Sequence, residues 1–301
     1  MKKSTLLVPL FAGVAALALA GCSTSPTAAD SGAADGIRVV ASTNVYGSIA
    51  EAVGGDAVAV TSIIDDPSKD PHEYQADGQN QLAVSKAQVV IENGGGYDDF
   101  IDTMLSAASG SDPAVLNVTD ISGLEQEGFN EHLWYDFPTM QKLVDSLVTE
   151  FSSLDPSEAT TFEANGEAAK AKLADLEAGE AAIKASHAGE GVAITEPVPL
   201  YLLAAAGLDD ETPDAFSEAI EEGTDVPPLV LQETLALFDA KSVALLVYNE
   251  QTGGPQTDAV IAAAEKNGIP TVAVTETMPV GTDYFSWMQA NIDAVSSALA
   301  G

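Results

Sequence analysis

A helical period holds from Asp155 to about His187, and a helix of that length in mid-chain divides the surrounding fold in two. Ala159, Phe162, Ala169, Leu173, Leu176 and Ile183 recur three to four residues or whole turns apart. About 32 helical residues span roughly 48 Å, more than the diameter of a small domain. Asp155 is placed to act as N-cap, Pro156 suits the first helical position, and Glu158 stands where a capping-box partner would. Gly166 and Gly179 each weaken an isolated helix by ~1 kcal/mol relative to Ala, so tertiary packing has to support it. The expected organisation is an N-terminal lobe over 37–154, a linking helix over 155–188 and a C-terminal lobe over 189–301.

On both sides of that helix, short β-branched runs alternate with amphipathic segments. In the first half, strands are expected at Ile37–Ala41, Val58–Ile64, Gln88–Glu92 and Ala114–Val118. Val58–Ile64 is apolar enough to read as buried. Helices are expected at Asn44–Val53, Gln79–Lys86, Tyr97–Ala108 and from Pro138 through Val148. The second half repeats the logic, with strands at Gly191–Thr195, Ser242–Tyr248 and Thr271–Thr275. Helices there are expected at Leu200–Ala206, Asp214–Glu221, Pro228–Asp239, Gln256–Lys266 and Tyr284–Leu299. Such alternation specifies an α/β fold: two lobes, each a mostly parallel sheet flanked by helices, with working loops at the strand C-terminal ends. Gly94-Gly95-Gly96 reads as a tight strand-to-helix turn, because it lacks the Lys-Ser/Thr and spacing of a phosphate loop.

The N-terminus is an export signal by pattern. Lys2-Lys3 precedes an apolar stretch from Leu6 to Ala20, too short to cross a bilayer, which ends in Leu19-Ala20-Gly21-Cys22. That ending looks like a lipobox: residues 1–21 form a signal peptide, and Cys22 becomes the lipidated N-terminus. Cys22 is the one cysteine in the chain, so no internal disulfide framework is possible. Residues 22–36 are rich in Ser, Thr, Ala and Pro and read as a flexible tether. The expected location is the extracytoplasmic face of the cell membrane, held by lipid and not embedded. Formal charge is −35 for the whole chain and about −37 without the signal. Such a surface repels nucleic acid and draws in cations generally.

The chain has three histidines. His72 lies in Asp70-Pro71-His72-Glu73-Tyr74, where Pro71 stiffens the loop after an expected strand. His132 lies among aromatics, just before the helix that Pro138 opens. His187 falls in the last turn of the long helix, where a cationic ring favours the helix dipole, and is read as structural. Glu196 and Glu276 each directly follow an expected buried strand in the second half. Two imidazoles and two carboxylates, one pair from each lobe, satisfy a divalent transition metal. With four protein groups and no reserved water position, such a site carries metal and does not catalyse.

Taken in order, these features carry a family resemblance. The lipobox, Asp70-Pro71-His72-Glu73-Tyr74, Asn130-Glu131-His132, Glu196, the mid-chain helix, Thr275-Glu276-Thr277 and Tyr284-Phe285-Ser286-Trp287-Met288 resemble the zinc- or manganese-binding lipoproteins of ABC importers, the cluster A-I group. In that family the ligands are two His, then His or Glu, then Asp or Glu. The resemblance carries these onto His72, His132, Glu196 and Glu276, with Zn²⁺ or Mn²⁺ as cargo. It further implies a rigid linking helix, small lobe movements, a monomer, and delivery to an ABC permease. The chain has no His-rich loop, which many zinc members carry; its third ligand is Glu, as in many manganese members, and its fourth is Glu where Asp is more common. Other classes weighed against this are a metallohydrolase using Glu73 or Glu131 as base, for which no His-Glu-x-x-His pattern exists, and a surface adhesin. If imidazoles hold the cation, its affinity should fall as pH drops towards ~6.5, because the ligand must be deprotonated. Calorimetric titration from pH 7.5 down to 5.5 checks this; a flat profile would exclude histidine ligation.

Overall fold

The computed structural model describes residues 36–66, 69, 74, 75, 77–108, 110, 112–126 and 128–301. Residues 1–21, where the signal peptide is expected, and Cys22 lie outside them, as does the stretch from Asp70 to Glu73 that carries His72. In the first lobe β1 (Ile37–Thr43), β2 (Val58–Ile64), β3 (Val89–Glu92) and β4 (Ala114–Asn117) form a parallel sheet in the order β2-β1-β3-β4. Val39 pairs with Val60 on one side and Val89 on the other. Around the sheet run helices α1 (Asn44–Gly54), α2 (Gly78–Val84), α3 (Phe100–Ala107) and α4 (Val118–Ser122). All four residues of β3 are buried, as an interior parallel strand requires. β2 differs from the expectation of burial: its first five residues alternate between exposed and half-buried. It is the edge of its sheet, and only its last two residues, Ile63 and Ile64, reach the core.

α3 begins three residues later than its apolar spacing suggests, because the preceding residues close the glycine turn. Gly94, Gly95 and Gly96 have φ of 71°, 66° and 94°. The buried Asp98 carboxylate accepts from the Asn93 N–H at 2.6 Å and the Gly94 N–H at 2.9 Å. A Cβ on Gly94 would stand 2.5 Å from the Asn117 amide, so both the φ and the space require glycine.

Two antiparallel helices follow, α5 (Phe137–Leu154) and α6 (Ala159–His187). The capping box expected at Asp155 and Glu158 does not form. α5 runs up to Leu154, so residues 155–158 are a tight turn, and the Asp155 carboxylate holds it by accepting from Ser157 N–H at 3.1 Å and Oγ at 2.6 Å. The two helix glycines are explained by close approach. A Cβ on Gly166 would lie 2.5 Å from Val148 of α5, and one on Gly179 would lie 3.0 Å from Ile292 of the last helix.

In the second lobe β5 (Gly191–Ile194), β6 (Asp209–Asp210), β7 (Leu245–Asn249) and β8 (Thr271–Val274) pair in parallel in the order β6-β5-β7-β8, the spatial order of the first sheet. β6 carries no apolar signal, since both its residues are exposed acids at the sheet edge. The accompanying helices are α7 (Leu200–Ala205), α8 (Asp214–Glu221), α9 (Pro228–Asp239), α10 (Pro255–Asn267) and α11 (Tyr284–Ala300). One hydrophobic cluster runs through both lobes, from Tyr46 and Ile49 by way of Leu143, Phe162 and Leu176 to Val247 and Met288. Polar bonds cross the same junction: the Asn44 amide exchanges two hydrogen bonds with the backbone of Met278, and Tyr284 OH donates to the Trp134 carbonyl at 2.6 Å. Among the described residues no helix is long and apolar enough to cross a membrane.

Glu180 of α6 is buried inside this junction. Burial, followed by repulsion from Glu177 and Asp136, pushes its carboxyl from 4.5 up to about 8. A raised folded-state value means that the native protein holds a proton between pH 4.5 and 8 that the unfolded chain has released. Glu180 therefore favours folding below that window and loses its contribution as pH rises through it. Glu180→Gln should raise the melting temperature over wild type increasingly from pH 5 to pH 9, by about 2–4 °C at the upper end. A difference that does not change with pH would show that Glu180 is ionised in the native state.

Candidate metal centre

The centre is built where the strands of the second sheet end. Glu196 follows β5 and Glu276 follows β8, each two residues past the strand, and β7 lies between those strands. Asn249, the last residue of β7, reaches both: its Nδ2 donates to Glu196 Oε2 at 2.6 Å and to Glu276 Oε1 at 2.9 Å. Its own backbone N–H is held by Thr195 Oγ1 at 3.0 Å. Gln251 Oε1 accepts from the N–H groups of Glu276 and Thr277 at 2.6 and 3.2 Å, fixing the loop after β8. Both carboxylates are buried, at 2% exposure for Glu196 and 3% for Glu276. From the first lobe, Tyr97 OH donates to Glu276 Oε2 at 3.2 Å.

His132 enters from the first lobe, in the loop before a 3₁₀ turn at Leu133–Tyr135, and is fully buried. Its ring lies edge-on to Tyr97 and Trp134, at centroid distances of 6.1 and 5.1 Å. Asn130 sets its tautomer. The Asn130 Nδ2 donates to the Pro197 carbonyl at 3.0 Å, so Oδ1 must face His132. That oxygen accepts from the His132 backbone N–H at 3.1 Å and lies 2.6 Å from Nδ1. Nδ1 therefore carries the proton of the neutral ring, and Nε2 presents a lone pair, the form a metal takes.

Nε2 faces Glu221, the last residue of α8, with Oε1 at 3.6 Å. One ligand atom each from Glu131, His132 and Glu221 lie within 4.8 Å of one another. The Glu221 carboxyl is pushed up to about 9, first by burial and then by Glu131, Glu196, Glu276 and Glu222. Acids of both lobes, Glu131 from the first and Glu196 and Glu276 from the second, thus lie near enough to Glu221 to repel its charged form.

Of the four residues singled out from sequence, Glu196 and Glu276 share the Asn249 amide, and His132 lies across the ring of Tyr97, which donates to Glu276. His72 lies outside the described residues, although the carbonyl of nearby Lys69 accepts from Gln251 Nε2 at 3.5 Å, beside the Glu276 loop. His187 is elsewhere in role: it ends α6, with Nδ1 3.1 Å from Glu190 of the same turn. Glu221 was not anticipated. It sits one turn on from Ser217, next to Ile220, so the buried face of α8 continues to it. That period was the available signal, but an acid at a helix end looks like a solvated one.

An imidazole lone pair and several carboxylates, buried and held by amide and phenol donors, are a nitrogen–oxygen donor set for a divalent cation. Two α/β lobes with such a set at their junction define a solute-binding protein. Residues 39–298 match the family described as ZnuA, zinc-uptake complex component A, periplasmic, and the chain belongs to that family. The manganese-binding lipoprotein MntA of Halalkalibacterium halodurans is 26% identical over 308 residues, covering 95% of this chain and 96% of the relative. The iron ABC transporter substrate-binding lipoprotein MtsA of Streptococcus pyogenes serotype M6 is 26% identical over 323 residues, covering 99% of each. Among solved structures, FpvC of Pseudomonas aeruginosa in complex with Mn²⁺ shares the fold, with a TM-score of 0.73, 21% identity, and coverage of 88% of this chain and 99% of that one. The family consists of binding proteins and not enzymes, which removes the hydrolase reading.

Asn249 is the positioning residue of the centre. Asn249→Ala should lower cation affinity about 10- to 100-fold with the far-UV spectrum unchanged, as loss of an outer hydrogen bond to a ligand does. Unchanged affinity by competition titration would mean that Glu196 and Glu276 are not held for a cation.

Proposed function

We propose that the protein captures a divalent transition metal, Zn²⁺ or Mn²⁺, at the junction of its two lobes and delivers it to the permease of an ABC importer. In this reading His72, His132, Glu196 and Glu276 are the ligands. The single observation that carries it is that one amide, of Asn249, bridges two buried carboxylates, Glu196 and Glu276, while Tyr97, whose ring lies against His132, donates to Glu276. Manganese, iron and zinc are the metals in the names of the relatives and the family, which supports a first-row cation without choosing among them. The relatives' names also speak of lipoproteins and ABC transporters. These support removal of residues 1–21, a lipid anchor on Cys22 and a place at the extracytoplasmic face of the membrane; in the same reading residues 22–36 are the tether and the protein works as a monomer. In the same reading residues 37–154 and 189–301 are the two lobes and 155–188 the element that joins them.

The donor set suits capture more than chemistry. His132, Glu196 and Glu276 are buried, and the tautomer of His132 is set in advance, so little reorganisation of these three precedes binding. The core shared by both lobes favours small shifts of loops over a wide hinge. Metal analysis of protein refolded with competing Zn²⁺ and Mn²⁺ identifies the preferred cargo. His72→Ala and His132→Ala should each lower affinity by about two orders of magnitude or more, as loss of a direct ligand exceeds that of an outer one. His187→Ala should leave affinity unchanged. Equal losses at all three would remove the assignment.

A further inference from the structure

The metal-capture reading uses four ligands, and Glu221 is not one of them. Its position is unfavourable in three ways unless something offsets it. The side chain is largely buried, with 17% exposure. It faces Glu131, Glu196 and Glu276 as like charges. It also ends α8, followed by Glu222, where the negative end of the helix dipole repels an anion. A residue that breaks local preference this way is commonly kept for a function.

The geometry points the same way. The 3.6 Å between Glu221 Oε1 and His132 Nε2 is too long for a hydrogen bond. It fits two ligands of one cation, which stand about 3.4 Å apart in a tetrahedral shell with bonds near 2.1 Å. The approach is made by a ring whose Nε2 lone pair is independently assigned through Asn130. Glu131 completes a triad of ligand atoms within 4.8 Å.

We propose that Glu221 is a fifth protein ligand to the cargo, contributed by the C-terminal end of α8, and that it tilts the site towards Mn²⁺ over Zn²⁺. This rests on the capture reading above. The selectivity follows from coordination chemistry. Two imidazoles with Glu196 and Glu276 already complete the four-coordinate shell in which Zn²⁺ is most often held. A further carboxylate oxygen adds most for a harder cation that takes a larger, oxygen-rich shell. Removing it should therefore cost Mn²⁺ far more than Zn²⁺.

The test is competition titration of Mn²⁺ and Zn²⁺ on wild type, Glu221→Ala, Glu221→Gln and His132→Ala, with X-ray absorption of the Mn²⁺-loaded proteins. Glu221→Ala should weaken Mn²⁺ by about 30- to 100-fold and Zn²⁺ by less than about threefold, with one fewer oxygen neighbour around Mn²⁺. His132→Ala should weaken both. Glu221→Gln keeps the shape and neutrality of the buried acid in the metal-free protein, so its metal-free form should melt no lower than wild type, which separates ligand loss from misfolding. Wild type that binds both cations, with Glu221→Ala unchanged in affinity ratio and in coordination number, overturns the role of Glu221 and leaves the capture reading standing. Wild type that binds neither overturns both.

Discussion

Buried like charge is the constraint that the rest of the molecule serves. Glu196 and Glu276 are removed from water at the ends of two strands, with Glu221 and Glu131 close by. Carboxylates in such a space repel one another and have lost their hydration, which pushes a proton onto them or calls for a cation. The protein supplies partial compensation from neutral donors. Asn249 bridges the two strand-end acids, and Tyr97 donates to one of them from the other lobe. The remainder is left for a doubly charged ligand, and a net charge of −35 raises the local concentration of any cation.

The fold exists to keep those groups in register. Both sheets have the same strand order, the loops leaving β1 and β3 meet the loop leaving β8, and Asn130, before the 3₁₀ turn, meets the loop leaving β5. Asn44 bonds the backbone after β8, Tyr135 OH donates to the Thr275 carbonyl at 3.0 Å, and Tyr201 OH donates to the Asn130 carbonyl at 2.8 Å. Each bond lies within a few residues of a proposed ligand. α6 braces the arrangement from the side by touching α5 and α1 in one lobe and α11 in the other. A continuous apolar cluster leaves the lobes little freedom to part, so ligand geometry is set before the cargo arrives.

Individual residues show how far the reading of the chain could go. Parallel strands such as β3 and β7 are apolar on both faces, which makes their existence plain from composition alone. Glu196 and Glu276 stand out because each directly follows such a run, at the strand end where α/β sites are built, whereas most glutamates here lie on helix surfaces. β2 was misjudged as buried because burial of an edge strand depends on what flanks it. Asp155 was assigned to a capping box that does not form, since the turn from α5 claims its carboxylate. The penalty of Gly166 and Gly179 was foreseen; the side chains of Val148 and Ile292 that require them were not.

The chain by itself therefore determined the α/β class, the two-lobe division, the long helix, and the choice of His72, His132, Glu196 and Glu276 as candidates, of which His72 lies outside the described residues. Those follow from local pattern, in which neighbours in sequence are also neighbours in space. Tertiary structure alone decided that Asn249 spans two carboxylates, that Asn130 assigns the His132 tautomer, and that Glu221 shares their space. Each of these joins residues from different elements, and no periodicity within one element records which foreign side chain lies opposite it.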